Sequence, residues 1–304
     1  MTSDHDGWTD PLAGVDTQNA ESVIALLNEA SDANRNADCR EGSIDLVEPC
    51  GLLTATGDIH DNPVHFARVM RLAKVEEATP DAPRHVTLHE VIHGVSAMGV
   101  DFSHRALLRV AAVKREFPEY VHTLLANHEL AQIVGAGIIK DGVQVVEAFN
   151  DGVAHVFGDD ASAVLEAIAD FIRSMPLALV SRTESGGVLC AHSLPSPGMM
   201  KQFDSEVLER ELDESDYEPR KGSAHLMVWG RSHSPKQLKE LAERWNISLF
   251  ILGHQHTENG WSIDPPNAVI LNSDHARGVV IQIDLADPPT PMDAVGTMQP
   301  LAIS

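Results

Sequence analysis

The feature that most restricts this chain is one design used repeatedly: a short apolar run that leads directly into a polar tip rich in histidine and carboxylate. GLLTAT (51–56) runs into GDIHDN (57–62), and HVTLHEVIHG (85–94) starts apolar and reaches His89-Glu90. YVHTLLANHE (120–129) ends in Asn127-His128-Glu129, and ISLFILGHQH (247–256) ends in His254-Gln255-His256. LALVSRTESGGVLCAHS (177–193) reads as a hairpin turning at Ser185-Gly186-Gly187, its second arm ending at His192. Apolar runs of this length bounded by polar residues predict strands. SIDLV (43–47), HLMVWG (225–230), NAVILNSDH (267–275) and GVVIQIDL (278–285) add further strands. Between them lie stretches of helical period: 18–33, 63–78 with Pro63 suited to a first helical position, 101–117, 161–175, and 235–245 with Pro235 near its start. Strands alternating with helices predict an α/β architecture, in which ligands bind where strands end. Here the strand ends are where histidines and carboxylates collect.

Composition narrows the function. The chain has 304 residues, 45 acidic against 22 basic, for a formal net charge of −23. That balance opposes gripping a nucleic-acid backbone by charge or resting on an anionic membrane. No apolar run approaches the roughly 18–20 residues that a membrane span needs. The polar, acidic first 20 residues do not read as a signal peptide. Three cysteines (Cys39, Cys50, Cys190) without a CxxC pattern predict a reducing, cytoplasmic setting and no disulfide framework. No repeat or clear linker interrupts the pattern. The expected organisation is a mobile acidic lead over 1–17, a single domain over 18–285, and an irregular Pro-rich tail over 286–304.

The 16 histidines stand out beside an aromatic content of only 5%. In an extended stretch residues i and i+2 point the same way, so Asp58 and His60 can share one ion and His254 and His256 can reach one site. Carboxylate oxygen with imidazole nitrogen suits manganese, iron or zinc, and the absence of cysteine from the set disfavours a structural zinc site.

The order GDxH, carboxylate, NHE, histidine, GHxH resembles that of the calcineurin-like metallophosphoesterases. It is most similar to their phosphoprotein phosphatase (Ser/Thr phosphatase) branch. The resemblance spans roughly residues 50–285 and includes GDIHDN, FPEYVHTLLANHE, MPLALV…GGVLCAHSLPSP and SLFILGHQHTENGW. It implies a four-layer αββα sandwich with two metal ions, Mn2+, Fe2+/Fe3+ or Zn2+, about 3.5 Å apart at the strand ends. Carried over by motif, Asp58, His60 and His256 would hold the first metal, Asn127, His192 and His254 the second. Glu90 would bridge them where the family usually has aspartate. The implied reaction is hydrolysis of a phosphate ester by in-line attack of a metal-bridging hydroxide, with His128 protonating the leaving oxygen. Alternatively, His128 only orients Asn127. Phosphomonoester hydrolysis of a phosphorylated small molecule or phosphoprotein leads. The alternatives are a phosphodiesterase or dinucleoside polyphosphate hydrolase, a metal-binding but catalytically weak scaffold, or a mononuclear hydrolase.

The chain also departs from the branch. LHEVIHG (88–94) lacks the second aspartate, which normally polarises the acid histidine, and the arginine; Ile92 or His93 stands in that aspartate's place. Leu125-Ala126 replaces arginine-glycine before the third motif, Asp61 replaces a glycine, and Ala191 and Ser193 replace glycines around His192. With those arginines gone, Arg231 in VWGRSHSP is the leading candidate to meet the substrate phosphate, ahead of Arg182, Arg220 and Lys221. Asn62 and His93 are candidate uncharged donors to substrate. His256, a fourth ligand on the first metal, points toward the wider group of phosphodiesterases and nucleotidases.

Overall fold

A computed structural model describes residues 9–94, 99–140, 142–184 and 186–302. The first eight residues of the acidic lead, Ser185 of the expected hairpin turn and the last two residues of the tail lie outside that set. Helix α1 (Ala20–Asn36) leads to a short pair, β1 (Arg40–Glu41) and β2 (Ile44–Val47). Next come β3 (Leu52–Thr56), α2 (Pro63–Ala73), β4 (Arg84–Leu88), α3 (His104–Glu116), β5 (Val121–Thr123) and α4 (Asn127–Val134). A small hairpin of β6 (Ile139–Lys140) and β7 (Val143–Gln144) precedes α5 (Val145–Phe157) and α6 (Ala161–Ser174). The chain continues through β8 (Ala178–Thr183), β9 (Gly186–Ala191), α7 (Ser223–Val228), α8 (Pro235–Trp245) and β10 (Ile247–Leu252). It closes with β11 (Trp261–Asp264), β12 (Ala268–Leu271), β13 (Val279–Asp284), α9 (Pro291–Gly296) and β14 (Met298–Pro300).

Local chemistry sets the helix limits. α8 begins at a capping box in which Ser234 and Gln237 satisfy each other's backbone N–H groups, with Pro235 in the first turn. It ends at Asn246 in the left-handed conformation. α2 stops at Lys74, also left-handed, and Val75–Glu77 continue as a single tight turn rather than the helix expected through 78.

The strands form a seven-stranded sheet, order β1-β2-β8-β9-β10-β12-β11, and a five-stranded sheet, order β14-β13-β3-β4-β5. Alternate residues separate the faces. Leu53, Ala55, Leu179, Val188, Cys190, Leu249, Ile251 and Ile281 meet between the sheets. Val86, Leu88, Val180, Leu189, Phe250 and Leu252 belong to the core shared with the helices. Helices α2 and α3 pack on the five-stranded sheet and α8 on the seven-stranded one. The result is an αββα sandwich, and burial on both faces explains why the strands read as nearly continuous apolar runs.

Three expectations are corrected. Residues 225–230 belong to a helical turn, α7 with Trp229 following it, not to a strand; a six-residue apolar run has no period long enough to separate the two. The tail is not irregular: α9 and β14 fold back, β14 pairs antiparallel with β13, and Leu301 is fully buried. The described part of the lead, from residue 9, is anchored as well, since Leu12 and Val15 pack against the core.

A buried polar clasp joins the two sheets at one edge. The carboxylate of Asp45, on β2, accepts from His122 Nδ1 of β5 at 2.8 Å and from Arg40 Nε of β1 at 2.9 Å. His122 Nε2 lies 3.0 Å from His85 Nδ1 on β4. Burial alone would raise the Asp45 carboxyl, but the His122 hydrogen bond and the nearby Lys114 and Arg40 charges hold it far below the usual carboxylate range. Because the folded value is depressed, this stabilisation is present above the ordinary aspartate value of about 3.9 and is lost as pH falls below it. Removing one partner leaves buried charge unpaired, so Asp45→Ala is expected to cost about 3–5 kcal/mol in urea unfolding. A loss below about 1 kcal/mol, the range of exposed ion pairs, would show that the clasp does not hold the sheets.

Candidate metal centre

The C-terminal ends of β3, β4, β5, β9 and β10 converge on one cleft of about 400 Å³. Asp58, His60, Glu90, Asn127, His128, Arg231, His254 and His256 line it. His192 lies beneath with no exposed surface. The turns that carry these groups are strained: His60, Glu90 and His254 hold φ of 47°, 47° and 66°, a region that non-glycine residues occupy at a cost of about 1–3 kcal/mol.

Four lone-pair donors crowd one point. His192 Nε2 is 2.7 Å from Asn127 Oδ1, 2.9 Å from Glu90 Oε2 and 3.1 Å from His254 Nδ1. Glu90 Oε2 is buried there and makes no directed hydrogen bond. On the other side of Glu90, Oε1 is 3.1 Å from His60 Nε2. His60 Nδ1 donates to the Ile92 carbonyl at 3.0 Å, which turns its Nε2 toward the cleft, the usual second contact of a ligating imidazole. Asp58 accepts the backbone N–H of His254 at 2.9 Å on Oδ1 and 3.1 Å on Oδ2.

The electrostatics favour a cation. Burial would lower the His192 imidazole, but Glu90 and Asp58 outweigh it and push it up to about 10. Burial likewise opposes charge on Glu90, yet the His192 and His60 rings hold it well below the usual carboxylate range. The pocket stabilises positive charge at its centre. A carboxylate, amide oxygen and imidazole set whose buried carboxylate oxygen makes no directed hydrogen bond fits a divalent or trivalent ion.

His256 differs from the other candidates: it is exposed at the mouth, its ring 5.6 Å from that of His275. Asn62 and His93 do not line the cleft. The Asn62 amide caps α2, accepting from His65 N at 3.0 Å and donating to the Asp274 carbonyl at 3.0 Å. His93 is fully buried behind His128. Arg231 does face the cleft, with its Nε 3.0 Å from His254 Nε2. Arg182 lies elsewhere, beside Cys39 and Glu48, while Lys221 pairs with Glu218 and the Arg220 carbonyl accepts from Gln202.

Sequence reasoning names His89 and Glu129 at strand ends but gives them no role. His89 Nε2 donates to the Thr56 carbonyl at 3.0 Å and its Nδ1 faces His192 Nδ1 at 3.2 Å, so it backs a ligand candidate. Glu129 accepts from the backbone of Val91 and Ile92 at 2.7 and 3.2 Å, which anchors the turn after Glu90. Burial and the Glu90 charge push Glu129 up to about 7. Its place in the NHE motif was the available signal. Trp229, Ile139 and Asp274 also line the cleft.

No protein-family model and no curated protein matches this chain. Among solved structures it is similar to a protein serine/threonine phosphatase from Saccharomyces cerevisiae: 16% identity, 88% of this chain and 83% of that one covered, TM-score 0.64. The chain has the fold of that phosphatase. This fold is also shared with a cold-active protein-tyrosine phosphatase of a psychrophilic Shewanella: 11% identity, 83% and 80% covered, TM-score 0.52. In such a fold the αββα frame brings strand ends from both sheets to one edge, the edge where this chain carries its histidines.

Gly253 sits where no side chain fits: a Cβ there would lie 2.4 Å from Asp58 Oδ1 and 2.6 Å from His89 Cε1. Gly253→Ala is therefore expected to weaken metal binding about 10- to 100-fold, as loss of outer support does. Titration with zinc monitored by calorimetry, with circular dichroism to confirm the fold, checks this.

Proposed function

We propose that the protein is a dinuclear-metal phosphoesterase and that hydrolysis of a phosphate monoester is its favoured reaction. The observation that carries this is the convergence of Asp58, His60, Glu90, Asn127, His192 and His254 from five strand ends on one cleft that also presents an arginine and two further histidines, His128 and His256. Asp58, His60 and His256 would hold one ion and Asn127, His192 and His254 the other, with Glu90 between them. The oxygen and nitrogen donor set suits manganese, iron or zinc. Two such ions, when bound, would neutralise charge on the phosphate oxygens and acidify a water enough to make it a nucleophile near neutral pH.

The chain's own groups do the rest. His128 stands over the centre, Nε2 3.8 Å from Glu90 Oε1 and its ring edge-on to His60 at 5.4 Å. That position lets it pass a proton to the oxygen leaving phosphorus. Arg231 supplies charge-assisted hydrogen bonds to the remaining phosphate oxygens. It is the one arginine or lysine among the described residues lining the cleft, and Asp274 faces it with negative charge. A single fixed cation suits one phosphoryl group better than a polyphosphate chain, which favours a monoester over the dinucleoside polyphosphate alternative. The lead from residue 9 and the tail that pairs with β13 would belong to the same catalytic domain as residues 18–285. A reducing, cytoplasmic setting agrees with three free cysteines, and no helix among the described residues is long and apolar enough to cross a membrane.

The test is metal analysis alongside turnover of aryl phosphate monoesters. Two ions per chain are expected, and Asp58→Asn or Asn127→Ala is expected to abolish hydrolysis. One ion per chain would favour a mononuclear hydrolase, and no turnover after manganese loading would favour a scaffold. Arg231→Ala is expected to lower kcat/KM about 10- to 100-fold, the worth of a hydrogen bond to a charged group.

A further inference from the structure

We propose that His93, anchored by Gln132 and Asn150, is a positioning residue that sets the tautomer and aim of His128. The proposal rests on the phosphoesterase reading for its purpose and on the contacts behind His128 for its geometry.

His93 follows the turn after β4 and has no exposed surface. Its Nδ1 is 2.8 Å from His128 Nδ1, and its Nε2 is 3.1 Å from Gln132 Oε1. His128 and Gln132 are four residues apart on α4, so they stand on one helix face and hold the ring between them. Gln132 is fixed in turn, its Nε2 donating to Asn150 Oδ1 of α5 at 2.7 Å. The His93 backbone N–H donates to Ser103 Oγ at 2.9 Å, and its φ of 59° is again in the left-handed region. Phe149 meets the His93 ring edge-on at 5.7 Å. Every direction in which this ring could turn is occupied by a specific contact.

The hydrogen-bond inventory then assigns the protons. An amide oxygen only accepts, so the hydrogen on the His93–Gln132 contact belongs to His93 Nε2. Burial and the neighbouring His128 ring push His93 down to about 3, so the ring carries one hydrogen, and its Nδ1 is a bare acceptor. Two Nδ1 atoms at 2.8 Å share one hydrogen, which must therefore sit on His128 Nδ1. His128 is left to use Nε2, the atom facing Glu90, for proton transfer. A neutral imidazole in this chain thus does the orienting, and no carboxylate is needed to fix the ring.

Two measurements test this on the zinc-loaded full chain. Nitrogen-15 spectra of the imidazoles should show hydrogen on His128 Nδ1 and on His93 Nε2; hydrogen on His93 Nδ1 overturns the proposal. The second is leaving-group dependence. An alkyl phosphate needs its leaving oxygen protonated, whereas a dinitrophenyl phosphate does not. His93→Phe, which keeps a ring against Phe149 but removes the acceptor, should lose about 100-fold on the alkyl ester and less than about tenfold on the dinitrophenyl ester, since general acids contribute at least that much. His93→Asn, which returns an acceptor near the Nδ1 position, should recover part of the loss. Gln132→Leu should show the same selective loss in smaller measure. Equal losses on both esters, or none, would leave His93 a packing residue. If the loaded wild-type chain hydrolyses neither ester, the phosphoesterase reading fails and takes the catalytic purpose with it. The spectra still decide the tautomers in that case, and unfolding of His93→Phe leaves them available on the native chain.

Discussion

The carboxylate of Asp58 accepting the backbone N–H of His254 is the contact on which the rest of the site depends. Asp58 extends β3 of one sheet and His254 extends β10 of the other. The bond therefore ties the sheets at the edge where the histidines gather. It also holds a negative oxygen against the centre, beside His192 and His89 at 3.4 and 3.6 Å. Gly253 is part of the same contact, because any side chain there would collide with that carboxylate. The second clasp, Asp45 with His122 and Arg40, does the corresponding work at another edge, but there the charges are already matched by Arg40 and Lys114. The contrast is instructive. Both are buried carboxylate–histidine clusters, yet only the one at the strand ends leaves a carboxylate oxygen without a hydrogen-bond partner and opens onto a cleft.

The site is layered. Lone-pair donors face the centre, and several groups of the site are oriented from behind: His60 by the Ile92 carbonyl, His192 by His89, the Glu90 turn by Glu129 and His128 by His93. Two of these partners, His89 and His93, are histidines where a carboxylate would be the commoner choice. That substitution accounts for part of the unusual histidine count in so acidic a chain. It also avoids adding further negative charge to a cleft that offers a single arginine among its described lining residues.

Much of this was legible from residue order. Strand–tip repeats located the α/β frame and the edge at which function would sit, because hydrophobic period and strand-end chemistry are local properties. The residues chosen as ligands, together with His128 and Arg231, do gather at one place. The errors share a cause. HLMVWG was too short for its period to separate strand from helix, which hid Trp229 from the cleft. Asn62 and His93 were assigned to substrate because they neighbour motif residues in sequence. In the folded chain Asn62 caps a helix and His93 turns inward against α4. The Pro-rich tail looked irregular because prolines break helices, yet β14 needs only three residues to pair with β13.

By itself, then, the sequence determined the alternation of strands and helices, the excess of acidic over basic residues, and the residue types available for chemistry. Those follow from composition and from periods of two and 3.6 residues, which act over a few positions. Only the tertiary structure decided which lone pairs face one another, which histidine backs which, and that Arg231 rather than Arg182 or Lys221 reaches the cleft. Such choices depend on contacts between residues as far apart as Asp58 and His254, and on left-handed turns at His60, Glu90 and His254 that local preference disfavours and packing enforces.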